Sequence, residues 1–578
     1  MYITEESLTN STWQAFERMV SRLLLLEGFA SVRMVGQTGD QGADLLASRA
    51  GKRWLFQVKH WRRKVPVSVV DETLRALQMY RSQIPVIVSL SGFEESVHQH
   101  QHTLMSHGVP LQLWDSKELV KRAQRLLGRP SNFPEPRLYQ EEAIRAILHV
   151  YQSRSQLSAL IVMATGLGKT FVAAEAIRRV NAIRTERVLI VVHSNELVYQ
   201  AEKAFWPFLT AGQPTVVWNG YEHPAESELN TAPFVFACLD TVSDYVNKGG
   251  DLKSFAIVLV DECHHVGAQM YPSLLNKLRA GQEGGPFLLG LTATPWRSDD
   301  GKIEDYFGPP LVSVDIVHGM KRGFLANVDY RMYTDNINWE ALRQLKGGRY
   351  TPRQINRTLF ITEWDDAVVL ELQRVWQEQV NPRAIVFCGT IDHAITMRDR
   401  INALGFCHAS AIYSKTASGR TMGGWERNRI LSEFEDGAIG AVCAVDILNE
   451  GVDVPDVNII VFQRVTHSRR IFVQQLGRGL RISAGKEKVI VLDFVSDIRR
   501  FAAGIDMKDQ LLSPDGPSAG NPVRIKIHHK VSFRKAGEED PHTEAFLRQW
   551  LEDVAAVENA GEDTGVLRFP PELPGSHT

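Results

Sequence analysis

The stretch Ala164-Thr165-Gly166-Leu167-Gly168-Lys169-Thr170 decides the fold of this chain. It follows the apolar residues 160–163 and precedes a helical pattern, so it predicts a strand, a glycine-rich turn and a helix. Backbone amides of such a turn point at phosphate oxygens. Lys169 is predicted to hold the β- and γ-phosphates of a nucleotide, and the Thr170 hydroxyl to ligate Mg²⁺. Met163 stands where the full motif has its first glycine, so a plain surface turn is the alternative.

Two adjacent carboxylates, Asp261 and Glu262, end the apolar run 256–260. This order places them at the carboxyl edge of a predicted sheet, where α/β proteins bind their ligands. We expect Asp261 to bind in the Mg²⁺ shell and Glu262 to orient or deprotonate the attacking water. The alternatives are a solvated acidic turn, or a metal site that includes Cys263, His264 and His265.

Apolar strand-like runs alternate with helical patterns from residue 138 onward. One series lies at residues 157–163, 187–193, 233–239, 256–260 and 287–291, and a second at residues 383–387, 409–413, 439–445, 457–462 and 488–494. Such alternation is typical of parallel sheets covered by helices on both faces. The predicted fold class is therefore α/β, with two similar parallel-sheet lobes.

The first 128 residues form a separate pattern of short strands and helices. Residues 12–27 predict an amphipathic helix with Trp13 on its apolar face, and strands and helices follow as far as residue 127. In the predicted strand 53–61, Gln57 and Lys59 are two residues apart and share a face. Asp44, in the preceding predicted strand, could supply a metal-binding carboxylate beside them.

These patterns divide the chain into six segments. Residues 1–128 are a small α/β domain, 129–136 a proline-rich linker, 137–310 the first lobe, 311–370 a connector, 371–500 the second lobe, and 501–578 a tail of unknown role. The three prolines of the linker cannot donate to a helix or a sheet ladder and favour extended backbone.

Composition adds few constraints. The 578 residues carry a net charge of −2, with 44% hydrophobic and 23% charged residues, so a nucleic-acid surface must be a local patch. The candidate patch is the run of basic residues around 52–53, 59–60 and 62–64. Five scattered cysteines predict reduced, mostly buried thiols. Since no apolar stretch reaches the roughly 20 residues of a membrane span, we expect no membrane partner and a cytoplasmic protein.

Further motifs in the same order resemble those of superfamily 2 helicases, close to the motor subunits of restriction enzymes. These motifs are Tyr139-Gln140, residues 292–295, residues 446–453 and residues 474–481. The resemblance covers about residues 137–495 and implies two RecA-like lobes with ATP and Mg²⁺ in the cleft between them. It implies that Gln140 reads the adenine and that Arg478 and Arg481 reach the γ-phosphate. The other nucleotide-site residues it implies are Thr165, Gly166, Leu167, Gly168, Lys169, Thr170, Asp261, His264 and Gln474.

The N-terminal residues resemble the Mrr-type restriction endonuclease domain over about residues 12–127. The matching motifs are Gly39-Asp40-Gln41-Gly42-Ala43-Asp44 and Gln57-Val58-Lys59. The resemblance implies that Asp44 is the principal metal ligand, that Lys59 activates water, and that Gln57 occupies a position where the wider superfamily often has an acid. It also implies that Glu17, on the predicted first helix, approaches the metal. A solvated Glu17 at the edge of the apolar stripe is the alternative.

Three functions remain open from the sequence. The first is an ATP-driven DNA translocase coupled to a Mg²⁺-dependent endonuclease, in restriction or defence against foreign DNA. The second is a repair or remodelling helicase whose N-terminal domain binds DNA without cleaving it, which the neutral Gln57 favours. The third is a nucleotide-gated switch without directional motion. The predicted partner is DNA, duplex DNA in preference to RNA, with other subunits of a defence system as further candidates.

Overall fold

The computed structural model describes residues 2–35, 42–127, 133–210, 212–263, 270–293, 303–314, 319, 322, 324–333, 348–350, 365–388, 390–413, 422–445, 457–463, 486, 488–494, 524–528 and 567–569. Its helices are α1 (Glu5–Asn10), α2 (Trp13–Leu26), α3 (Ser68–Met79), α4 (Glu95–Ser106), α5 (Ser116–Leu127), α6 (Leu138–Ser153), α7 (Lys169–Ile183), α8 (Asn195–Phe205), α9 (Glu226–Thr231), α10 (Leu239–Asn247), α11 (Met270–Lys277), α12 (Glu304–Phe307), α13 (Asp365–Trp376), α14 (Ile391–Leu404) and α15 (Gly424–Glu435), with a short 3₁₀ helix at Trp206–Phe208.

The strands are β1 (Ala30–Met34), β2 (Leu45–Arg49), β3 (Lys52–Lys59), β4 (Ile84–Ser89), β5 (Gln112–Trp114), β6 (Ser158–Met163), β7 (Val188–Val192), β8 (Thr215–Trp218), β9 (Phe234–Cys238), β10 (Ile257–Val260), β11 (Phe287–Thr292), β12 (Pro310–Val314), β13 (Asn327–Tyr333), β14 (Gly348–Tyr350), β15 (Ala384–Phe387), β16 (Ala409–Ile412), β17 (Ala441–Ala444), β18 (Ile459–Phe462), β19 (Lys488–Phe494), β20 (Arg524–His528) and β21 (Leu567–Phe569).

The N-terminal domain is built on a five-stranded sheet in the order β1-β2-β3-β4-β5. The first three strands are antiparallel neighbours, whereas β3, β4 and β5 run parallel. Side chains alternate across β3 as predicted: Phe56 packs with Phe16 of α2 on one face, and Leu55 packs with Ala76 of α3 on the other. Gln57 therefore faces α3.

The first lobe contains a seven-stranded sheet in the order β12-β6-β11-β10-β7-β9-β8, and all its strand pairs are parallel. The five predicted apolar runs form β6, β7, β9, β10 and β11. These strands are buried along nearly their whole length, which explains their continuous apolar sequences. The sequence patterns missed β8 and β12, which lie at the two edges of the sheet.

The second lobe contains a seven-stranded sheet in the order β16-β17-β15-β18-β19-β13-β20, again with parallel pairs. Strand β13 lies within the segment that the sequence patterns predict as a connector, and it pairs with β19. In addition, β14 and β21 form a two-stranded antiparallel sheet. The predicted α/β fold class, with two parallel-sheet lobes after a small α/β domain, is confirmed.

Two details of the packing bear on the predictions. Trp13, predicted on the apolar face of α2, is 54% exposed because it is the first residue of the helix. All five cysteines are free thiols, and all except the partly buried Cys407 are buried, as predicted.

Among the described residues, no helix combines the length and the apolar character that crossing a membrane requires.

Candidate active sites

The phosphate loop of the first lobe has the predicted strand–turn–helix geometry. It connects β6 to α7, and Gly166 and Gly168 adopt positive φ angles of 92° and 83°. The Gln140 side chain lies against the loop, and its Nε2 donates a hydrogen bond of 2.9 Å to the Leu167 carbonyl. A Cβ atom at Gly168 would lie 2.7 Å from Gln140 Nε2. The backbone conformation therefore favours glycine at position 168, and an added methyl would displace the end of the Gln140 side chain.

A Gly168→Ala substitution is expected to raise the KM for ATP about tenfold, because left-handed backbone costs alanine about 1–2 kcal/mol and the added methyl displaces Gln140. The measurement is ATP hydrolysis as a function of ATP concentration in the presence of DNA. The matched control is Gly249→Ala, since Gly249 has a similar φ of 86° but no atom within 4 Å of an added Cβ. An unchanged KM in Gly168→Ala would contradict the close packing of Gln140 on the loop.

Four side chains that follow β6 and β10 meet at the same edge of this sheet. Lys169 Nζ lies 3.6 Å from Glu262 Oε1, and Thr170 Oγ1 lies 3.5 Å from Asp261 Oδ2. The left-handed backbone of Glu262, with φ of 48°, turns the chain directly after β10. The two motifs that the sequence places almost a hundred residues apart therefore form one site.

The electrostatics of this site favour a bound cation. The pKa of the Asp261 carboxyl is raised to about 6, chiefly by burial and then by the charge of Glu262, while the Lys169 ammonium acts in the opposite direction. Two neighbouring carboxylates in a buried position repel each other, so a divalent cation beside them relieves this repulsion. The hydroxyl and carboxylate oxygens of Thr170 and Asp261 are ligands of the kind that Mg²⁺ prefers.

The structure describes some of the remaining residues of the motor motifs but not others. Tyr139 stacks on Phe324 at a centroid distance of 4.3 Å and donates to the Leu167 carbonyl, so the segment before the motor motifs is tied to the loop. Thr292 is fully buried at the end of β11. Four predicted residues lie outside the described residues: His264, Gln474, Arg478 and Arg481.

The N-terminal domain brings Asp44 and β3 together. Asp44 lies one residue before β2 rather than within it, and its backbone N–H donates to the Phe56 carbonyl at 2.9 Å. Its carboxylate Oδ2 accepts a 2.6 Å hydrogen bond from the backbone N–H of Val58. Asp44 is therefore held directly beside the strand segment that contains Gln57 and Lys59, as predicted.

Glu72 of α3 completes this cluster, and the sequence patterns missed it. Its Oε2 lies 3.0 Å from Gln57 Nε2 and 3.7 Å from Lys59 Nζ. Gly42 approaches so closely that an added Cβ would lie 3.2 Å from Glu72 Cβ. A carboxylate is therefore present near the position where Gln57 replaces the acid of the wider superfamily. No pattern in the sequence indicates this contact, because it depends on the packing of α3 against β3 and β4.

The Gln57 side chain is fully buried and bonded at both ends of its amide. Thr73 Oγ1 lies within hydrogen-bond distance of Gln57 Oε1 and also 2.7 Å from the Val69 carbonyl oxygen. A hydroxyl has one proton to donate, so Thr73 can satisfy only one of these two acceptors at a time. If that proton goes to Val69, a reversed Gln57 amide would donate to Thr73 and direct its oxygen toward Glu72.

Glu17 lies on α2, and the basic run follows the end of β3. Glu17 is 6% exposed, so the solvated alternative is wrong, while its role at a metal stays a prediction. His60 turns inward, with its ring 5.2 Å from that of Phe16. By contrast, Arg63 stacks over Trp61 at 5.0 Å, and Lys59 Nζ lies 5.4 Å from the same ring.

Comparison with protein families agrees with this geometry in three segments of the chain. Residues 8–123 match the family described as restriction endonuclease, and residues 133–297 match the res subunit of type III restriction enzymes. Residues 366–483 match the helicase conserved C-terminal domain.

The three matched segments are thus those of a restriction endonuclease domain followed by two segments of a restriction-enzyme or helicase motor.

Similar proteins include both helicases and restriction enzymes. The mitochondrial ATP-dependent helicase candidate irc3 of Schizosaccharomyces pombe is 25% identical over 66% of this chain and 60% of its own length. The endonuclease subunit of the type I restriction enzyme EcoAI of Escherichia coli is 27% identical over 64% of this chain and 47% of its own length. The chain thus spans about half to three fifths of these curated relatives. The structure of the type ISP restriction-modification enzyme LlaBIII bound to DNA aligns with a TM-score of 0.48 and 17% identity, covering 85% of this chain and 37% of that one.

The matched segments contain every predicted site residue. The nuclease segment includes Glu17, Asp44, Gln57 and Lys59, and the first helicase segment includes His264. Gln474, Arg478 and Arg481 fall within the helicase C-terminal segment. The individual roles assigned to these residues stay predictions.

Proposed function

We propose that this chain is an ATP-driven DNA translocase that carries a Mg²⁺-dependent DNA endonuclease, acting in restriction or defence against foreign DNA. The observation that carries the proposal is that one chain holds two separate clusters of a lysine with acidic and other oxygen ligands. One cluster is Lys169, Thr170, Asp261 and Glu262 in the first lobe, and the other is Asp44, Gln57, Lys59 and Glu72 in the nuclease domain. Two ion-pair clusters with a purely structural role are a weaker explanation, because every member except Glu72 belongs to a motif of the resembling family.

In the motor, Lys169 would bind the β- and γ-phosphates of ATP, and its contact with Glu262 would be exchanged for the nucleotide. Thr170 and Asp261 would hold the Mg²⁺, which neutralises charge that develops on the transferred phosphoryl group. Glu262, placed beside this position, would orient the attacking water. Because Arg478 and Arg481 belong to the other helicase domain, hydrolysis would depend on closure of the two lobes.

In the nuclease domain, Asp44 and Glu72 would hold a Mg²⁺ ion, with the Gln57 oxygen as a third ligand in its reversed orientation. Carboxylate and amide oxygens suit this ion, so the residues fit it. The metal would supply Lewis-acid activation of the scissile phosphate. Lys59 would then be released from Glu72 to bind or activate the attacking water, and it is placed for this role at the end of β3.

A Glu72→Gln substitution is expected to lower the rate of DNA cleavage about 10- to 100-fold and to raise the Mg²⁺ concentration for half-maximal cleavage, because one anionic ligand is lost. The measurement is cleavage of duplex DNA over a range of Mg²⁺ concentrations. The control is Glu95→Gln, an exposed carboxylate at the start of α4 in the same domain. Unchanged Mg²⁺ dependence in Glu72→Gln would show that Glu72 does not bind the metal.

DNA is the proposed partner, in duplex form rather than RNA, because restriction enzymes are among the relatives of both parts of the chain. The exposed residues Arg62, Arg63 and Lys64 follow Lys59 and would contact phosphates beside the cleavage site. Further subunits of a defence system and a cytoplasmic location belong to the same proposal.

One observation favours the non-cleaving alternative. Gln57 is neutral, and its amide is bonded to Thr73 and Glu72 rather than left open. In that case the N-terminal domain would bind DNA and deliver it to the helicase. Incubation of the full chain with duplex DNA and Mg²⁺, with and without ATP, decides between the two: cleavage that EDTA abolishes supports the nuclease, and DNA-stimulated hydrolysis without any cleavage supports the alternative.

A further inference from the structure

The nuclease domain contacts the first lobe through charges that are buried rather than exposed. Arg18 of α2 is 5% exposed, and Glu202 and Glu222 of the first lobe are 2% and 5% exposed. Arg18 Nε donates to Glu202 Oε2 at 2.8 Å, and Arg18 Nη1 donates to Glu222 Oε1. The guanidinium also lies 5.5 Å from the ring centroid of Tyr199. A single arginine thus joins two acidic residues across the domain boundary.

A second arginine of the same helix adds directional bonds to the first lobe. Arg22 Nη1 and Nη2 donate to the carbonyl oxygens of Gln213 and Thr210, each at 2.9 Å. In the opposite direction, Lys203 of α8 donates to the Val32 carbonyl in β1 of the nuclease domain. Because α8 carries both Glu202 and Lys203, one helix of the motor holds α2 and the neighbouring strand.

The contacts of the nuclease domain with the second lobe are of another kind. They include two ion pairs, Arg33 with Glu435 and Arg53 with Asp436, at the end of α15. Their side chains are between 20% and 44% exposed. Water screens ion pairs that are partly exposed and so weakens them, whereas removal of one partner from a buried pair leaves an uncompensated charge. The two interfaces therefore differ in strength.

The buried interface is close in sequence and in space to the proposed nuclease site. Phe16 and Glu17 directly precede Arg18, and the Phe16 ring packs on His60, which follows Lys59. His60 Nε2 also lies 3.4 Å from Ser11 Oγ, just before α2. Helix α2 thus contacts the end of β3 on one side and the motor on the other.

We propose that Arg18 is a positioning residue through which the first lobe holds α2 against the nuclease site, so that the nuclease domain moves as one body with that lobe. The contacts with the second lobe exchange as the two lobes move. This inference rests on the proposed nuclease function and extends it, because it makes the metal affinity of the nuclease site depend on a contact with the motor.

The charge state of the cluster is consistent with a permanent contact. Burial alone would lower the pKa of the Arg18 guanidinium, but the carboxylates of Glu202 and Glu222 raise it above its ordinary value. Burial raises the pKa of Glu222, and Arg18 offsets part of that shift. Arg18 therefore carries its positive charge at neutral pH.

The test compares variants of the full chain in three measurements: amide hydrogen exchange of residues 13–26, the Mg²⁺ concentration for half-maximal cleavage, and DNA-stimulated ATP hydrolysis. Arg18→Met is expected to speed exchange in α2 about tenfold or more. It is also expected to raise the half-saturating Mg²⁺ concentration about 10-fold, as loss of an outer support of a metal site does. The kcat of ATP hydrolysis is expected to stay within about twofold, since the first-lobe residues that Arg18 contacts, Glu202, Glu222 and Tyr199, are not residues of the proposed nucleotide site. Arg18→Lys, which keeps the charge, is expected to recover most of the metal affinity.

Two further variants keep the proposal open to refutation. If Arg18→Met also loses ATP hydrolysis, it is misfolded and cannot test the proposal. Glu222→Gln then serves as the test, because it retains the pair of Arg18 with Glu202. The double variant Glu435→Gln with Asp436→Asn removes the exposed pairs and is expected to leave α2 exchange and Mg²⁺ dependence unchanged. Unchanged exchange and Mg²⁺ dependence in a folded Arg18→Met, or in Glu222→Gln, would overturn the proposal. Absence of cleavage in the parent chain instead defeats the nuclease assignment, and the exchange measurement then decides alone whether the motor holds α2.

Discussion

Substitution of Lys169 by alanine is expected to lower the rate of DNA-stimulated ATP hydrolysis by about 100- to 1,000-fold, which corresponds to roughly 3–4 kcal/mol of lost transition-state stabilisation. The ammonium of Lys169 is nearly buried beside Glu262, in a position where water screens charge poorly. Phosphate oxygens that enter this site would gain a strong charge-assisted hydrogen bond, and the truncated side chain cannot supply it. The measurement is steady-state phosphate release at saturating DNA.

The matched control for this prediction is Lys248→Ala. Lys248 belongs to the same lobe and also pairs with a carboxylate, at 2.7 Å from Asp244, but its side chain is 75% exposed. Exposed pairs of this kind contribute less than about 1 kcal/mol, so hydrolysis by the control is expected to remain at the parent rate. DNA-stimulated hydrolysis that survives in Lys169→Ala would show that this loop is not the nucleotide site.

Substitution of Asp44 by asparagine is expected to lower DNA cleavage by about three orders of magnitude while ATP hydrolysis continues, because a bound metal contributes several kcal/mol to phosphodiester hydrolysis. Asparagine has nearly the same shape and keeps an oxygen that can accept the hydrogen bond from Val58 N–H. The domain should therefore fold normally, and the loss can be attributed to the missing negative charge. The measurement is the rate of cleavage of duplex DNA in Mg²⁺.

Asp71→Asn is the matched control for Asp44→Asn. Asp71 is an exposed carboxylate of α3 beside Glu72, so its loss removes the same charge from the same domain without touching the cluster. Cleavage by this control is expected to stay within about twofold of the parent, as is usual for surface substitutions. Full cleavage activity in Asp44→Asn would place the nuclease site elsewhere or rule out a metal held by this carboxylate.

Much of the fold follows from hydrophobic periodicity, because the central strands of both lobes are buried on both faces. The apolar run predicted at residues 287–291 is the strand Phe287–Thr292, and the alternation along β3 correctly placed Gln57 and Lys59 on one face. Hydrophobic periodicity did not predict strand β13 because this strand contains polar residues. Its Arg331 is buried only through ion pairs with Asp329 and Glu378, at 2.7 and 2.6 Å, and apolar patterns do not reveal such compensation.

The candidate sites were predictable where they lie next to strand ends and unpredictable where they depend on packing. Asp261 and Glu262 follow a buried strand, so their position at the sheet edge could be inferred from the sequence. Glu72 is a partly exposed residue of α3, and only the packing of this helix against β3 brings it to Gln57 and Lys59. The contact of Arg18 with Glu202 joins residues 184 positions apart, and no local pattern indicates it.

The most direct test of the account is cleavage of a long linear duplex by the full chain in Mg²⁺, with and without ATP, beside Lys169→Ala and Asp44→Asn. We expect the parent to cleave DNA and ATP to increase the rate. We expect Lys169→Ala to lose the effect of ATP, and Asp44→Asn to hydrolyse ATP at the parent rate without cleaving DNA. Cleavage by Asp44→Asn at the parent rate, or an effect of ATP that persists in Lys169→Ala, would contradict the proposal that one chain couples these two sites.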